Sequence, residues 1–139
     1  YIGSGEQEIF LKEEVERLQL RNKVHFLGYQ KNPYSILKQA KVLCSLSKQE
    51  GFSGAVVEAV TLGIPFVSTN VGGALELSNE GQFGEVIETN QEAIAALKKY
   101  ITGERKISEN YSEFIEQFTI EKQLQQIEEL FQSSKEERS

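Results

Sequence analysis

Short apolar runs alternate with longer amphipathic stretches along most of the chain. Tyr1 and Ile2 before Gly3-Ser4-Gly5 read as a strand end and a tight turn. Ser4 with Gln7 three residues on fits a capping box. The helix it would open carries Leu11, Val15 and Leu18 on one face, with Glu8–Lys12 and Glu13–Arg17 as i,i+4 pairs. Residues 24–27 read as a second strand ending at Gly28, and Pro33 suits the first turn of a helix reaching Ala40. Residues 42–46 and 65–69 are apolar strands flanking a helix over 54–62 that Gly63 stops. Gly72 and Gly73 close the latter strand, and residues 84–87 make one more. Beyond it the period turns helical over 92–101, 109–118 and 120–131, the last with a stripe at Ile120, Leu124, Ile127 and Phe131. Residues 133–139 form a polar tail.

Strands alternating with helices at this spacing predict an α/β fold with a parallel sheet flanked by helices. Ligands of such sheets bind beyond the carboxyl ends of the strands. The loops over 3–5, 28–32, 47–53 and 70–73 are therefore expected to open on one edge.

Composition narrows the chemistry. A chain of 139 residues with 39% apolar and 26% charged residues is a globular domain, not a disordered or collagen-like one. No stretch approaches a membrane span, and no signal-peptide pattern opens the chain. A net charge of −6 argues against a nucleic-acid surface but leaves a nucleotide open, because helix N-termini hold phosphate without net basic charge. All 21 acidic residues are Glu, which excludes D-x-D metal motifs, EF-hand loops and Ser-His-Asp triads. With one Cys and one His there is no zinc site, and His25 reads as an ordinary strand residue. Cys44, inside an apolar run, is expected as a buried bystander in a reducing compartment. The absence of Met leads to the expectation that the chain is a piece of a longer protein.

Residues 51–75 carry a single charge, Glu58, where average composition would place about six. A carboxylate there either finds donors at an opening or points to solvent from a half-exposed face. Glu50 stands eight residues earlier, at the entry to a loop kept small by Gly51, Ser53 and Gly54. Ser53 is a plausible N-cap, with the N–H groups of Gly54, Ala55 and Val56 left to receive a phosphate. An ordinary capped strand–helix loop would show the same residues.

The run Glu50 to Gly73, EGFSGAVVEAVTLGIPFVSTNVGG, resembles the E-x7-E donor motif of the group 1, or family 4, retaining glycosyltransferases of the GT-B fold. The blocks IGSG at 2–5, VHFLGY at 24–29 and ALEL at 74–77 follow in the family's order, and the likeness covers residues 1–90. It implies a Rossmann-like donor-binding domain over residues 1–132 that lacks its first strand–helix unit. Glu50, as the catalytic residue, would contact the donor hexose near its anomeric centre. Backbone at Gly51, Phe52, Ser53 and Gly54 would approach sugar and diphosphate. Glu58 would accept from the ribose hydroxyls, and Tyr29 and Gln30 would lie beside the nucleobase. Leu46 departs from a frequent Pro, and Ser53 from a frequent Gly.

The resemblance thus implies transfer of a hexose from a nucleoside-diphosphate sugar, with retention and without a metal or other cofactor. An acceptor domain, and the basic residues that neutralise the diphosphate, would lie upstream of Tyr1. The alternatives are a non-catalytic nucleotide- or nucleotide-sugar-binding module, and a partner domain docking through the 120–131 stripe. A cytoplasmic setting is expected, with the inner face of a membrane open to the full-length protein. With no first strand, a gap would open beside the strand over 42–46, to be filled by upstream residues or by a swapped or paired dimer.

Overall fold

The computed structural model describes residues 1–119, 121, 122, 124 and 125. Of the stripe expected on 120–131, Ile120, Ile127 and Phe131 lie outside these residues, as does the tail 133–139, whereas Leu124 is described and exposed. The chain divides into two units, Tyr1–Ser35 and Ile36–Ser139.

In the first unit the Tyr1 amino group donates to the His25 carbonyl at 2.7 Å, and the Leu27 and Gly3 amides donate to the Tyr1 and Gly28 carbonyls at 2.9 and 2.8 Å. The Tyr1 and Phe26 rings stack with centroids 5.3 Å apart. The two expected strands thus lie side by side in parallel. They are bonded extended segments, not regular strands, because so few hydrogen bonds join them. Helix α1 (Glu8–Arg17) starts later than the Ser4 capping box predicts. Gln7 is its N-cap, without a side-chain cap bond, and a turn over Gly5 (Glu8 N–H to Gly5 carbonyl, 3.1 Å) takes up the intervening residues. Lys12 bonds Glu8 at 2.6 Å as expected. Arg17 pairs with Glu14 at 2.6 Å, not Glu13, the i,i+3 neighbour being equally within reach on a helix surface. None of α1 is buried.

Helix α2 (Tyr34–Leu37), across the division, is shorter than expected and leaves a turn (Ala40 N–H to Leu37 carbonyl, 2.8 Å). The second unit is then built on β1 (Leu43–Ser45), β2 (Phe66–Thr69) and β3 (Gly84–Ile87), all parallel in the order β1-β2-β3. Leu43 pairs with Phe66 and Phe66 with Gly84, so the alternation of side chains defines two faces. Helices α3 (Gly54–Thr61), α4 (Ala74–Ser78) and α6 (Tyr111–Glu116) supply Val56, Val60, Leu77 and Phe114 to the cluster around Phe66 and Phe83. Helix α5 (Asn90–Thr102) lays Ala93, Ala96 and Tyr100 on Val67 and Ile87 of the opposite face. Its start is set by a capping box of Thr89 and Glu92, which places it two residues earlier than apolar period alone predicts. Helix α4 was not among the expected elements; five residues are too few for a periodic signal.

Cys44 is exposed, against the expectation of burial. Among the described strands β1 is the sheet edge, and Cys44 belongs to the face on which α5 packs against β2 and β3. Among the described residues no helix is long and apolar enough to cross a membrane.

Candidate functional site

The loops following β1 and β2 come together at the carboxyl edge of the sheet. The Ser53 amide donates to the Gly72 carbonyl at 3.0 Å, and Gly72 itself (φ +56°) is held so close that a Cβ would fall 2.9 Å from the Ser53 nitrogen and 3.1 Å from the Glu50 Cβ. Gly73 (φ +74°) lies under the Phe52 ring, at 3.1 Å from where its Cβ would stand. A side chain at either position meets both a left-handed backbone and a filled space. The pair of glycines after β2 therefore lets its loop close on the loop after β1.

Glu50 sits half-buried at this junction. The Ser47 hydroxyl donates to its Oε1 at 2.5 Å, and the Thr69 hydroxyl donates to the Ser47 carbonyl at 2.5 Å. Hydrogen bonding from Ser47, reinforced by the nearby Ser53 hydroxyl, holds the Glu50 carboxyl below the ordinary glutamate range; slight desolvation opposes it. The group is an ionised acceptor at neutral pH.

Ser53 is the N-cap of α3 in position, with extended backbone (ψ 91°), but its side chain makes no cap bond. Its Oγ is buried and makes no regular hydrogen bond among the described residues, so it acts on Glu50 through nearness alone. The expected row of three bare N–H groups is also modified. The Gly54 amide bonds the Phe52 carbonyl and the Val56 amide bonds the Ser53 carbonyl, both at 3.1 Å, as the tight entry into the helix turns carbonyls back on the first amides. Helix α3 buries Val56, Ala59 and Val60, and Glu58 lies half-buried between its packed and open faces. Gly51, Phe52 and Gly54 are exposed around the helix start.

The structure thus gathers Glu50, Gly51, Phe52, Ser53 and Gly54 on one loop, with Glu58 one turn into the helix that follows. Tyr29 and Gln30 belong to the first unit. There Tyr29 is 80% exposed, and the Gln30 amide donates to the Leu27 carbonyl at 2.6 Å. Ser47 and Thr69 escaped sequence reasoning as functional residues. The S-x-x-E spacing of Ser47 and Glu50 was the available signal, since a hydroxyl and a carboxylate three apart often bond locally. Among the described residues no three His, Cys or Glu side chains group as metal ligands.

A family model described as glycosyl transferases group 1 matches residues 1–119. N-acetyl-alpha-D-glucosaminyl L-malate synthase of Bacillus anthracis is 31% identical over 136 residues, 94% of this chain and 36% of that protein. Poly(glycerol-phosphate) alpha-glucosyltransferase of Bacillus subtilis (strain 168) is 34% identical over 123 residues, 84% of this chain and 18% of that one. The chain therefore spans well under half the length of these relatives. Among solved structures, Anabaena Alr3699/HepE in complex with UDP superposes with a TM-score of 0.75 at 27% identity, over 95% of this chain and 40% of that one. The lipopolysaccharide outer core galactosyltransferase WaaB, in its apo form, gives a TM-score of 0.83 at 23% identity, over 96% and 40%. The fold is the Rossmann-like α/β arrangement of GT-B glycosyltransferases.

Proposed function

Because the chain belongs to the glycosyl transferases group 1, we propose that it forms the donor-binding part of a retaining glycosyltransferase that takes a hexose from a nucleoside-diphosphate sugar. The observation that carries this reading is the junction of the loops after β1 and β2, with an ionised Glu50 beside the start of α3. UDP bound to the Anabaena neighbour supports a uridine nucleotide as the first ligand to try.

In this reading the Glu50 carboxylate accepts hydrogen bonds from hexose hydroxyls. Its negative charge favours the positive charge that develops at the anomeric carbon as the diphosphate leaves. The backbone of Gly51, Phe52, Ser53 and Gly54, at the positive end of α3, faces sugar and diphosphate. Glu58 accepts from the ribose hydroxyls. Donor binding proceeds without a divalent metal, the start of α3 supplying the positive potential. The acceptor is held by a second domain.

Calorimetry with UDP and UDP-hexoses tests the assignment. Glu58→Ala should weaken UDP about tenfold or more, as a charge-assisted hydrogen bond contributes about 1.5–3 kcal/mol. Glu50→Ala should leave UDP unchanged and weaken the sugar nucleotide. Equal, small effects of both changes would mean that the carboxylates serve solvent, not a donor. Binding lost in EDTA and regained with Mn2+ would overturn the metal-free mode.

A further inference from the structure

We propose that Thr69 and Ser47 form a positioning relay for Glu50: the Thr69 hydroxyl fixes the Ser47 backbone, and the Ser47 hydroxyl fixes the carboxylate that meets the donor sugar. The inference rests on the role given to Glu50 above. Ser45–Ser68 is the last paired position of β1 with β2, and Thr69, next along β2, pairs only with Ile87 of β3. Its hydroxyl reaches the Ser47 carbonyl at 2.5 Å and so carries the link between the two strands past the point where the ladder ends.

Ser47 then has a fixed backbone and one hydroxyl proton, which it commits to Glu50 Oε1 at 2.5 Å. Oε1 is the oxygen that Ser47 holds. Among the described residues it is the Ser47 hydroxyl first, and then that of Ser53, that favours the charged form. A glutamate side chain is otherwise rotamer-rich, and binding would have to order it. Anchored through Ser47 to β2, it is ordered before the sugar arrives. Ser47 and Thr69 are positioning residues, since neither is assigned a contact with substrate.

Carbon-detected NMR titration of the Glu50 side-chain carboxyl reads the relay directly, with each variant checked by its amide spectrum. In Ser47→Ala the midpoint should move up towards the ordinary glutamate value. Ser47→Thr, which keeps the hydroxyl, should hold it near wild type. Thr69→Val, of the same shape without the hydroxyl, should move it in the same direction as Ser47→Ala but less. An unmoved midpoint in Ser47→Ala, or a Ser47→Thr variant that shifts as far as Ala, overturns the relay. Were Ser47→Ala not to fold, Thr69→Val alone decides, an unmoved midpoint again overturning the idea. UDP-glucose calorimetry on the wild-type chain separates the two levels: no binding removes the donor reading and the relay's purpose with it, whereas normal binding with an unmoved titration removes the relay alone.

Discussion

Tyr1–Ser35 and Ile36–Ser139 carry similar apolar spacing but hold themselves together differently. Helix α1 and its C-cap carry Leu11, Val15 and Leu18, yet no residue of 1–35 is buried and Leu18 is 52% exposed. What holds this unit is a short parallel ladder and one ring stack, the ion pairs of α1 lying at its surface. Helix α3 is shorter than α1, yet it buries three side chains against a sheet that has helices on both faces. An amphipathic stripe stabilises only when it has a surface to cover, and a two-segment ladder offers too little. The candidate carboxylates Glu50 and Glu58 lie in the unit with the core, where the scaffold can fix them.

The harshest way to test this contrast is Phe66→Ala, which empties a fully buried position shared by the sheet and three helices. It should cost about 3–5 kcal/mol in a denaturant melt followed by signals of 36–119; a loss below 1 kcal/mol would mean the core is not the main support. Next comes Gly72→Ala, where a left-handed backbone and contact with Ser53 combine. It should cost about 1–3 kcal/mol and also weaken UDP-sugar binding, measured on the same sample. A variant as stable and as competent as wild type would show that the two loops are not locked together.

Thr89→Ala removes the capping box of α5 and should cost about 1 kcal/mol. The pH dependence is a smaller effect. Glu50 is depressed in the folded state by Ser47, so its contribution is present above the unfolded glutamate value and is lost as pH falls through the folded one. Thermal midpoints should therefore drop on the acid side, and less so in Ser47→Ala. A midpoint that rises on acidification would have the wrong sign. Smallest of all, Arg17→Ala should leave the midpoint unchanged, because its pair with Glu14 lies at the helix surface. Amide exchange should be fast throughout α1 and slow in α3; equal protection in both would erase the contrast between the units.

The parts legible in the sequence were those set by long apolar runs and by glycines. The strands at 43–45, 66–69 and 84–87, and the stop of α3 before Gly63 (φ +70°), follow from residue order alone. Two extended segments at the amino end were legible too, but not that they would fall short of regular strands, since ladder length depends on what lies alongside. Capping was misjudged in both directions: Ser4 and Ser53 have the residue type but make no cap bond, whereas Thr89 does. Residue type gives capacity; local backbone turns decide its use. In the site, the spacing of Glu50 and Glu58 was legible and the Ser47–Thr69 linkage was not, because it joins residues 22 apart through a backbone carbonyl.

The exposed thiol of Cys44 offers a practical handle. It is the chain's single cysteine, two residues before the loop that leads to Glu50. Desolvation pushes its pKa up, so it remains protonated at neutral pH and is best labelled with a maleimide in mildly alkaline buffer. A fluorophore or spin label attached there would stand on the sheet-edge strand, on the same face as α5. Its rate of attachment, with and without a nucleotide sugar, would report how far that surface is shielded. A side chain with no part in the proposed chemistry thus provides one fixed observation point for following ligand binding and assembly.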